Sequence, residues 1–135
     1  MAENHTIKEI IERVKKNKRW PDVKIIQKAY NYALEKHGTQ LRKSGEPYII
    51  HPTNVAYTIA ELGLDEQTIC AALLHDVVED TNVTFDELEK NFSPEVIEGL
   101  KLLTHDKNVD YLEYVRKIKN NPIARKVKLA DLYHN

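Results

Sequence analysis

The stretch that organises this chain is residues 71–80, which read AALLHDVVED. An apolar run leads directly into four ionisable side chains, and no glycine or proline interrupts it. If the stretch is one helix, side chains four residues apart share a face, so His75 stacks over Glu79 and Asp76 over Asp80. Burying such charges beside alanine and leucine costs several kcal/mol unless something compensates, and a bound cation is the usual compensation. The adjacent His75 and Asp76 are therefore predicted to form half of a metal site.

The composition is that of an ordinary globular domain. The chain has 135 residues, 41% hydrophobic and 30% charged, and we expect one domain over residues 1–135. Its net charge is −1, and no block of like charge predicts nucleic-acid or membrane binding. The single cysteine, Cys70, is predicted to be a small buried side chain in a reducing compartment. No stretch resembles a signal peptide or a membrane span, so we expect a cytoplasmic protein.

Helix-start signals recur along the chain, and strictly alternating strand patterns are rare. The sequence therefore predicts a nearly all-helical protein, with helices at about residues 6–16, 21–37, 52–62, 65–80, 84–91, 93–103, 110–118 and 122–135. Apolar spacing directs Leu34 in the second helix, and Leu112 and Val115 in the seventh, towards the core. Residues 39–50 form a long irregular stretch, and such loops in compact helical domains are often functional.

Further metal ligands must come from elsewhere in the chain, since the His-Asp pair supplies at most two. His51 precedes Pro52 at a predicted helix start, where the backbone is constrained. Asp131 follows an apolar run within residues 128–135, KLADLYHN. Two imidazoles and two carboxylates suit a first-row metal such as manganese, iron or zinc better than calcium, and the ligands alone do not decide among these metals.

Four motifs, in order and at compatible spacing, carry a family resemblance: RKSGEPY at residues 42–48, HP followed by VA within residues 51–56, AALLHDVVEDT at residues 71–81, and KLAD followed by HN within residues 128–135. From about residue 29 onward the chain closely resembles the hydrolase half of the RelA/SpoT family, the alarmone branch of the HD-domain phosphohydrolases. The resemblance implies an all-α HD-domain bundle of about seven or eight helices. It also implies removal of the 3′-pyrophosphate from guanosine tetra- or pentaphosphate, giving GDP or GTP.

The same resemblance implies a role for each site residue. A single metal, manganese in the family, would be held by His51, His75, Asp76 and Asp131. The attacking water would be positioned or deprotonated by Glu79 and Asp80. The nucleotide and its phosphates would meet Arg42, Lys43, Ser44 and Asn135. A guanidinium and an ammonium offset the charge of a departing pyrophosphate, so these residue types suit the chemistry.

Several alternatives stay open. The chain could be an HD phosphohydrolase acting on another nucleotide, or a non-catalytic ligand-sensing HD domain, although the latter would be expected to lose metal ligands. The family often has arginine where Leu132 stands, and its hydrolase domains continue with further helices, so C-terminal truncation stays open too. Three tyrosines could line a nucleotide pocket or pack in the core, Tyr48, Tyr57 and Tyr133. The expected partner is a small-molecule nucleotide, without nucleic acid or membrane, and a homo-oligomer is left open.

Overall fold

The computed structural model describes residues 4–104, 108 and 110–134. That part of the chain contains nine helices: α1 (Ile7–Asn17), α2 (Val23–His37), α3 (Ile50–Glu61), α4 (Glu66–Leu74), α5 (Val77–Asp80), α6 (Phe85–Glu89), α7 (Pro94–Leu103), α8 (Tyr111–Lys119) and α9 (Pro122–His134). The extended pairing described there is one isolated bridge, between Leu41 and Pro47. The predicted all-α class is confirmed. Within the same ranges, no helix combines the length and apolar character that crossing a membrane requires.

Helix starts follow the polar residues that mark them in the sequence. Thr6 caps α1 with a complete capping box, and the side chains of Asp65 and Ser93 accept backbone N–H groups of α4 and α7. At the start of α6, the Thr84 side chain accepts the backbone N–H of Glu87. These side chains satisfy donors that the first helical turn leaves without partners. The starts of the core helices are therefore encoded locally.

The prediction of one continuous helix over residues 65–80 is wrong, because the helix is interrupted by a turn at His75 and Asp76. Helix α4 ends at Leu74 and α5 begins at Val77. At the break, the Nδ1 atom of His75 lies 2.5 Å from the backbone oxygen of Ala72. This carbonyl would accept the N–H of Asp76 in an unbroken helix, and the imidazole takes it instead. The His-Asp pair therefore sits at a junction between two helices, and stacking along one helix does not describe it.

Helix α4 lies at the centre of the core. It packs against α2, α3, α7 and α9, and every side chain of residues 69–74 is fully buried. The small side chains of residues 70–72 allow neighbouring helices to approach closely. Burial raises the pKa of the Cys70 thiol to about 12, which keeps it protonated and unreactive at neutral pH. The apolar run of the central stretch thus holds the junction in a fixed place.

Three predicted core assignments are wrong. Leu34 is 41% exposed on α2, and in α8 both Leu112 and Val115 are exposed, at 69% and 42%. Instead, α8 packs through Tyr114 and Ile118, which lie four residues apart on one face. The Tyr114 hydroxyl also donates to the backbone oxygen of Leu103 at 2.8 Å. The face of α8 that carries Tyr114 and Ile118 is less apolar than the face that carries Leu112 and Val115. It can still be buried, because the Tyr114 hydroxyl has a hydrogen-bond partner there.

Candidate metal centre

Three parts of the fold bring two imidazoles and a carboxylate together. His51 lies in the first turn of α3, His75 at the end of α4, and Asp131 in α9. The Nε2 atom of His51 is 2.6 Å from Oδ1 of Asp131, and the Nε2 atom of His75 is 3.4 Å from the same oxygen. One ligand atom from each residue lies within 4.8 Å of the others. Residues 80 positions apart in sequence thus converge on one point.

The surroundings of His75 fit a cation. Its Nδ1 atom faces a carbonyl, which only accepts, so Nδ1 carries the hydrogen and Nε2 presents a lone pair in the neutral ring. That Nε2 atom is buried and makes no hydrogen bond to any described residue, yet it lies 3.2 Å from Oδ2 of Asp76 and 3.4 Å from Oδ1 of Asp131. Three electron-rich atoms in a buried place require a positive charge among them. A divalent metal supplies that charge in the manner these donors suit.

The electrostatics of the cluster agree with this requirement. Burial lowers the pKa of His75, but the charges of Asp76 and Asp131 outweigh it and raise the pKa to about 9. Burial likewise raises the pKa of Asp131, but contacts with His51 and His75 hold it well below its usual range. The pKa shifts of both groups therefore favour a positive charge at this point of the cluster.

A second cluster, made of carboxylates alone, adjoins the first. Ligand oxygens of Asp76, Glu79 and Asp80 lie within 4.8 Å of one another. The four predicted metal ligands are thus divided between two adjacent clusters, with Asp76 at the contact between them through its 3.2 Å approach to His75. Both predicted catalytic acids, Glu79 and Asp80, lie in this second cluster. We call these three residues the acid cluster.

The predicted phosphate-binding residues lie in the loop between α2 and α3. The backbone N–H of Arg42 donates to the oxygen of Glu46 at 2.9 Å, and that of Gly45 to the oxygen of Arg42 at 2.8 Å. Gly45 has a φ of 89°, a conformation that favours glycine. Lys43 and Ser44 are exposed at the tip of this turn, and Arg42 is half-buried. Asn135, the fourth predicted substrate residue, lies outside the described residues.

The loop is attached to the acid cluster by two residues whose role was not predicted. The Tyr48 hydroxyl donates to Oδ2 of Asp80 at 2.6 Å, and Nε2 of Gln40 donates to the backbone oxygen of Asp80 at 3.0 Å. No sequence pattern predicts these contacts, because they depend on how the loop folds back onto Asp80. The sequence alone leaves open whether Tyr48 lines the pocket or packs in the core, and in the structure its hydroxyl contacts the acid cluster.

A cavity of 150 Å³ opens onto both clusters. The wall of the cavity opposite the clusters is formed by α8 and α9, which contribute Tyr111, Tyr114 and Lys128. The Lys128 ammonium lies 5.7 Å from the centre of the Tyr114 ring. Small-molecule pockets usually occupy about 300–1,000 Å³, so this cavity fits a phosphate group and water but not a whole nucleotide. The remainder of such a ligand would lie outside it.

Comparison with known proteins agrees with this geometry. The family model described as "HD domain" matches residues 29–130. The chain therefore belongs to the HD-domain family.

Within the HD-domain family, the relatives place this chain in the RelA/SpoT branch. The chain is 45% identical to a guanosine-3′,5′-bis(diphosphate) 3′-pyrophosphohydrolase of Aquifex aeolicus, covering 82% of this chain and 17% of that protein. It is 44% identical to the GTP pyrophosphokinase rsh of Brucella ovis, covering 94% and 18%. It also matches a solved structure described as a metazoan ortholog of SpoT that hydrolyzes ppGpp, with a TM-score of 0.70 and 36% identity over 86% of this chain and 70% of that one. The chain spans less than a fifth of the length of the two curated relatives. The predicted family is confirmed.

Proposed function

We propose that this chain removes the 3′-pyrophosphate from guanosine tetraphosphate and pentaphosphate, giving GDP and GTP. The observation that carries the proposal is the buried Nε2 atom of His75, which faces two carboxylate oxygens within 3.4 Å. Support also comes from the relatives, one named as a 3′-pyrophosphohydrolase and one described as hydrolyzing ppGpp. The site and the relatives point to the same reaction class.

The metal would be held by His51, His75, Asp76 and Asp131. A bound divalent cation lowers the pKa of water towards neutrality and so provides hydroxide at cellular pH. We propose manganese as the bound ion, because it is the metal that the family resemblance implies. The two imidazoles and two carboxylates suit it as they suit other first-row metals. Helix α3, the end of α4 and helix α9 each contribute donors, so binding requires the folded chain.

The acid cluster would orient the attacking water and take its proton. Glu79 and Asp80 lie within 4.8 Å of Asp76, which in turn contacts His75. A carboxylate at this distance from the metal ligands can reach a water directly or through one further water. We assign proton transfer to Glu79 and the orientation of the water to Asp80.

The phosphates would enter the 150 Å³ cavity, with the nucleoside outside it. Arg42 and Lys43 in the turn and Lys128 on the cavity wall would offset the charge of the departing pyrophosphate. Ser44 would donate to a phosphate oxygen, and we propose that Asn135 helps to hold the sugar. Because the cavity has no room for a base, recognition of guanine would occur on the surface around the turn.

A substrate panel tests the proposal. The chain is incubated with Mn²⁺ and guanosine tetraphosphate, guanosine pentaphosphate, GTP, dGTP or ATP, and the released pyrophosphate and phosphate are measured separately. We expect pyrophosphate from the first two substrates and no product from the others. Phosphate released from the other nucleotides instead would favour an HD phosphohydrolase of different specificity. No product from any nucleotide, with Mn²⁺ still bound, would favour a ligand-sensing domain.

The role of Glu79 has its own test. Glu79→Gln keeps the size of the side chain but removes its charge, so Mn²⁺ affinity should stay within about threefold while turnover falls about 100-fold or more. Calorimetry measures the first quantity and pyrophosphate release the second. Glu61→Gln, at the exposed end of α3, is the matched control and should change neither. Normal turnover in Glu79→Gln would remove this residue from the mechanism.

A further inference from the structure

The loop between α2 and α3 holds one member of the acid cluster from two directions. The Tyr48 hydroxyl donates to the Asp80 carboxylate at 2.6 Å, and the Gln40 amide donates to the Asp80 backbone oxygen at 3.0 Å. These two loop residues are themselves joined, because the backbone N–H of Tyr48 donates to the oxygen of Gln40 at 3.0 Å. The side chain and the backbone of Asp80 are thus held by one small hairpin.

Tyr48 is fixed in place from its other side. Its ring stacks on that of His37, with the ring centres 4.6 Å apart and the planes 17° from parallel. His37 is only 4% exposed, and its Nδ1 atom lies 3.0 Å from the side-chain oxygen of Gln40. Burial, followed by the hydrogen bond to Asp80, raises the pKa of Tyr48 far above its usual range. The hydroxyl therefore keeps its proton and stays a donor at any physiological pH.

Asp80 needs such a donor because of its neighbours. Asp76, Glu79 and Asp80 present oxygens within 4.8 Å of one another, and like charges at that distance repel. A carboxylate at the edge of the cluster would rotate away into water unless a partner opposed the repulsion. A short hydrogen bond from a neutral hydroxyl to a charged oxygen provides that opposition.

We propose that Tyr48 is a positioning residue: its hydroxyl holds the Asp80 carboxylate in the acid cluster and so fixes where that carboxylate meets the reacting water. The inference rests on the proposed function for its kinetic consequence. It also explains how the turn that carries Arg42 and Lys43 keeps a constant position relative to the acids, since the same hairpin carries Tyr48.

Kinetics of Tyr48→Phe test the consequence for turnover. The variant keeps the ring that stacks on His37 and loses only the hydroxyl. We expect kcat to fall about tenfold, with KM and Mn²⁺ affinity unchanged, because the orientation of an acid is disturbed and substrate binding is not. The matched control is Tyr32→Phe, which removes another tyrosine–carboxylate contact, 3.4 Å long and made to Glu87. Its kcat should equal that of the wild type.

A double variant shows whether Tyr48 acts through Asp80. In a chain that already carries Asp80→Asn, adding Tyr48→Phe should change kcat by less than twofold. A full additional tenfold loss would overturn the inference, as would an unchanged kcat in the single Tyr48→Phe variant of an active wild type.

A measurement without turnover separates this inference from the proposed function. Carbon NMR of chains labelled at the aspartate carboxyl groups should show one resonance that disappears in Asp80→Asn. That resonance should shift in Tyr48→Phe and stay in place in Tyr32→Phe. A constant resonance in Tyr48→Phe overturns the inference even if the wild type hydrolyses guanosine tetraphosphate. A shifted resonance in a chain that hydrolyses nothing supports the positioning of Asp80 and counts against the proposed function alone.

Discussion

The two ring nitrogens of His75 have different tasks. Nδ1 is committed to the backbone oxygen of Ala72, and this contact fixes the orientation of the ring at the end of α4. Nε2 is left to face Asp76 and Asp131. A hydrogen bond that fixes one nitrogen and leaves the other free to ligate is a common arrangement in metal sites. The same imidazole therefore lies at the end of α4 and is oriented with Nε2 towards the two carboxylates.

Removing this ring should abolish metal binding at the site. In His75→Ala we expect the Mn²⁺ affinity to fall by about 100-fold or more, because a ligand is lost and two carboxylates remain without their common partner. Titration calorimetry measures the affinity. His5→Ala, which alters a histidine at the start of the chain that stacks on Tyr57, is the control and should bind normally. Normal Mn²⁺ affinity in His75→Ala would show that the metal binds elsewhere.

At the scale of elements, an ion pair ties the end of α1 to the beginning of α4. Both oxygens of Glu66 lie 2.9 Å from the Lys18 ammonium, and one also accepts the backbone N–H of Asp22 at 3.1 Å. The Glu66 side chain is only 10% exposed. Burial alone would raise the pKa of Glu66, but the contacts with Lys18 and Asp22 lower it overall. This connection fixes the start of the central helix.

The lowered pKa of Glu66 predicts the direction of a pH effect. A carboxyl whose folded-state pKa lies below its unfolded value of about 4.3 stabilises the fold above that pH and loses its contribution as the pH falls through the folded value. Glu66→Gln should therefore reduce the free energy of unfolding by about 1–2 kcal/mol at pH 7, and by less at about pH 3. Urea unfolding at the two pH values measures this difference.

An exposed pair provides the control for that experiment. Lys101 and Glu89 also form an ion pair, at 3.1 Å, but their side chains are 52% and 48% exposed. Glu89→Gln should change the free energy of unfolding by less than about 0.5 kcal/mol at either pH. An equal loss in both variants would mean that general charge balance, and not the buried contact of Glu66, produces the effect.

At the scale of the whole molecule, metal binding should stabilise the entire fold. The donors come from α3, from the end of α4 and from α9, all of which pack around one core. Free Mn²⁺ at 100 times its Kd adds about 2.7 kcal/mol to the free energy of unfolding, or roughly 8 °C in Tm for a domain of this size. Differential scanning calorimetry with and without Mn²⁺ measures the shift. The same concentration of Ca²⁺ should give a smaller one, and an equal rise with both ions would contradict the proposed preference.

Local patterns and motifs predicted part of the fold and of the site, whereas the helix break at His75 and the choice of the buried face of α8 were missed. The caps at Thr84 and Ser93 follow from their own neighbours, and the motifs predicted that His51 and Asp131 would meet His75. Helical periodicity could not show that an imidazole would take the Ala72 carbonyl and break the helix. It also assigned Leu112 to the core, because an amphipathic pattern does not say which face finds a partner.

The break after Leu74 has an electrostatic consequence. The peptide dipoles of a helix leave partial negative charge on the carbonyls of its last turn. Helix α4 runs through the buried core and ends at Leu74, so this end of its dipole lies beside the buried imidazole of His75, where solvent screens its field only weakly. The backbone itself thus favours positive ions at this location and disfavours anions. A polyphosphate that binds here would therefore need a bound cation to offset the negative end of the α4 dipole.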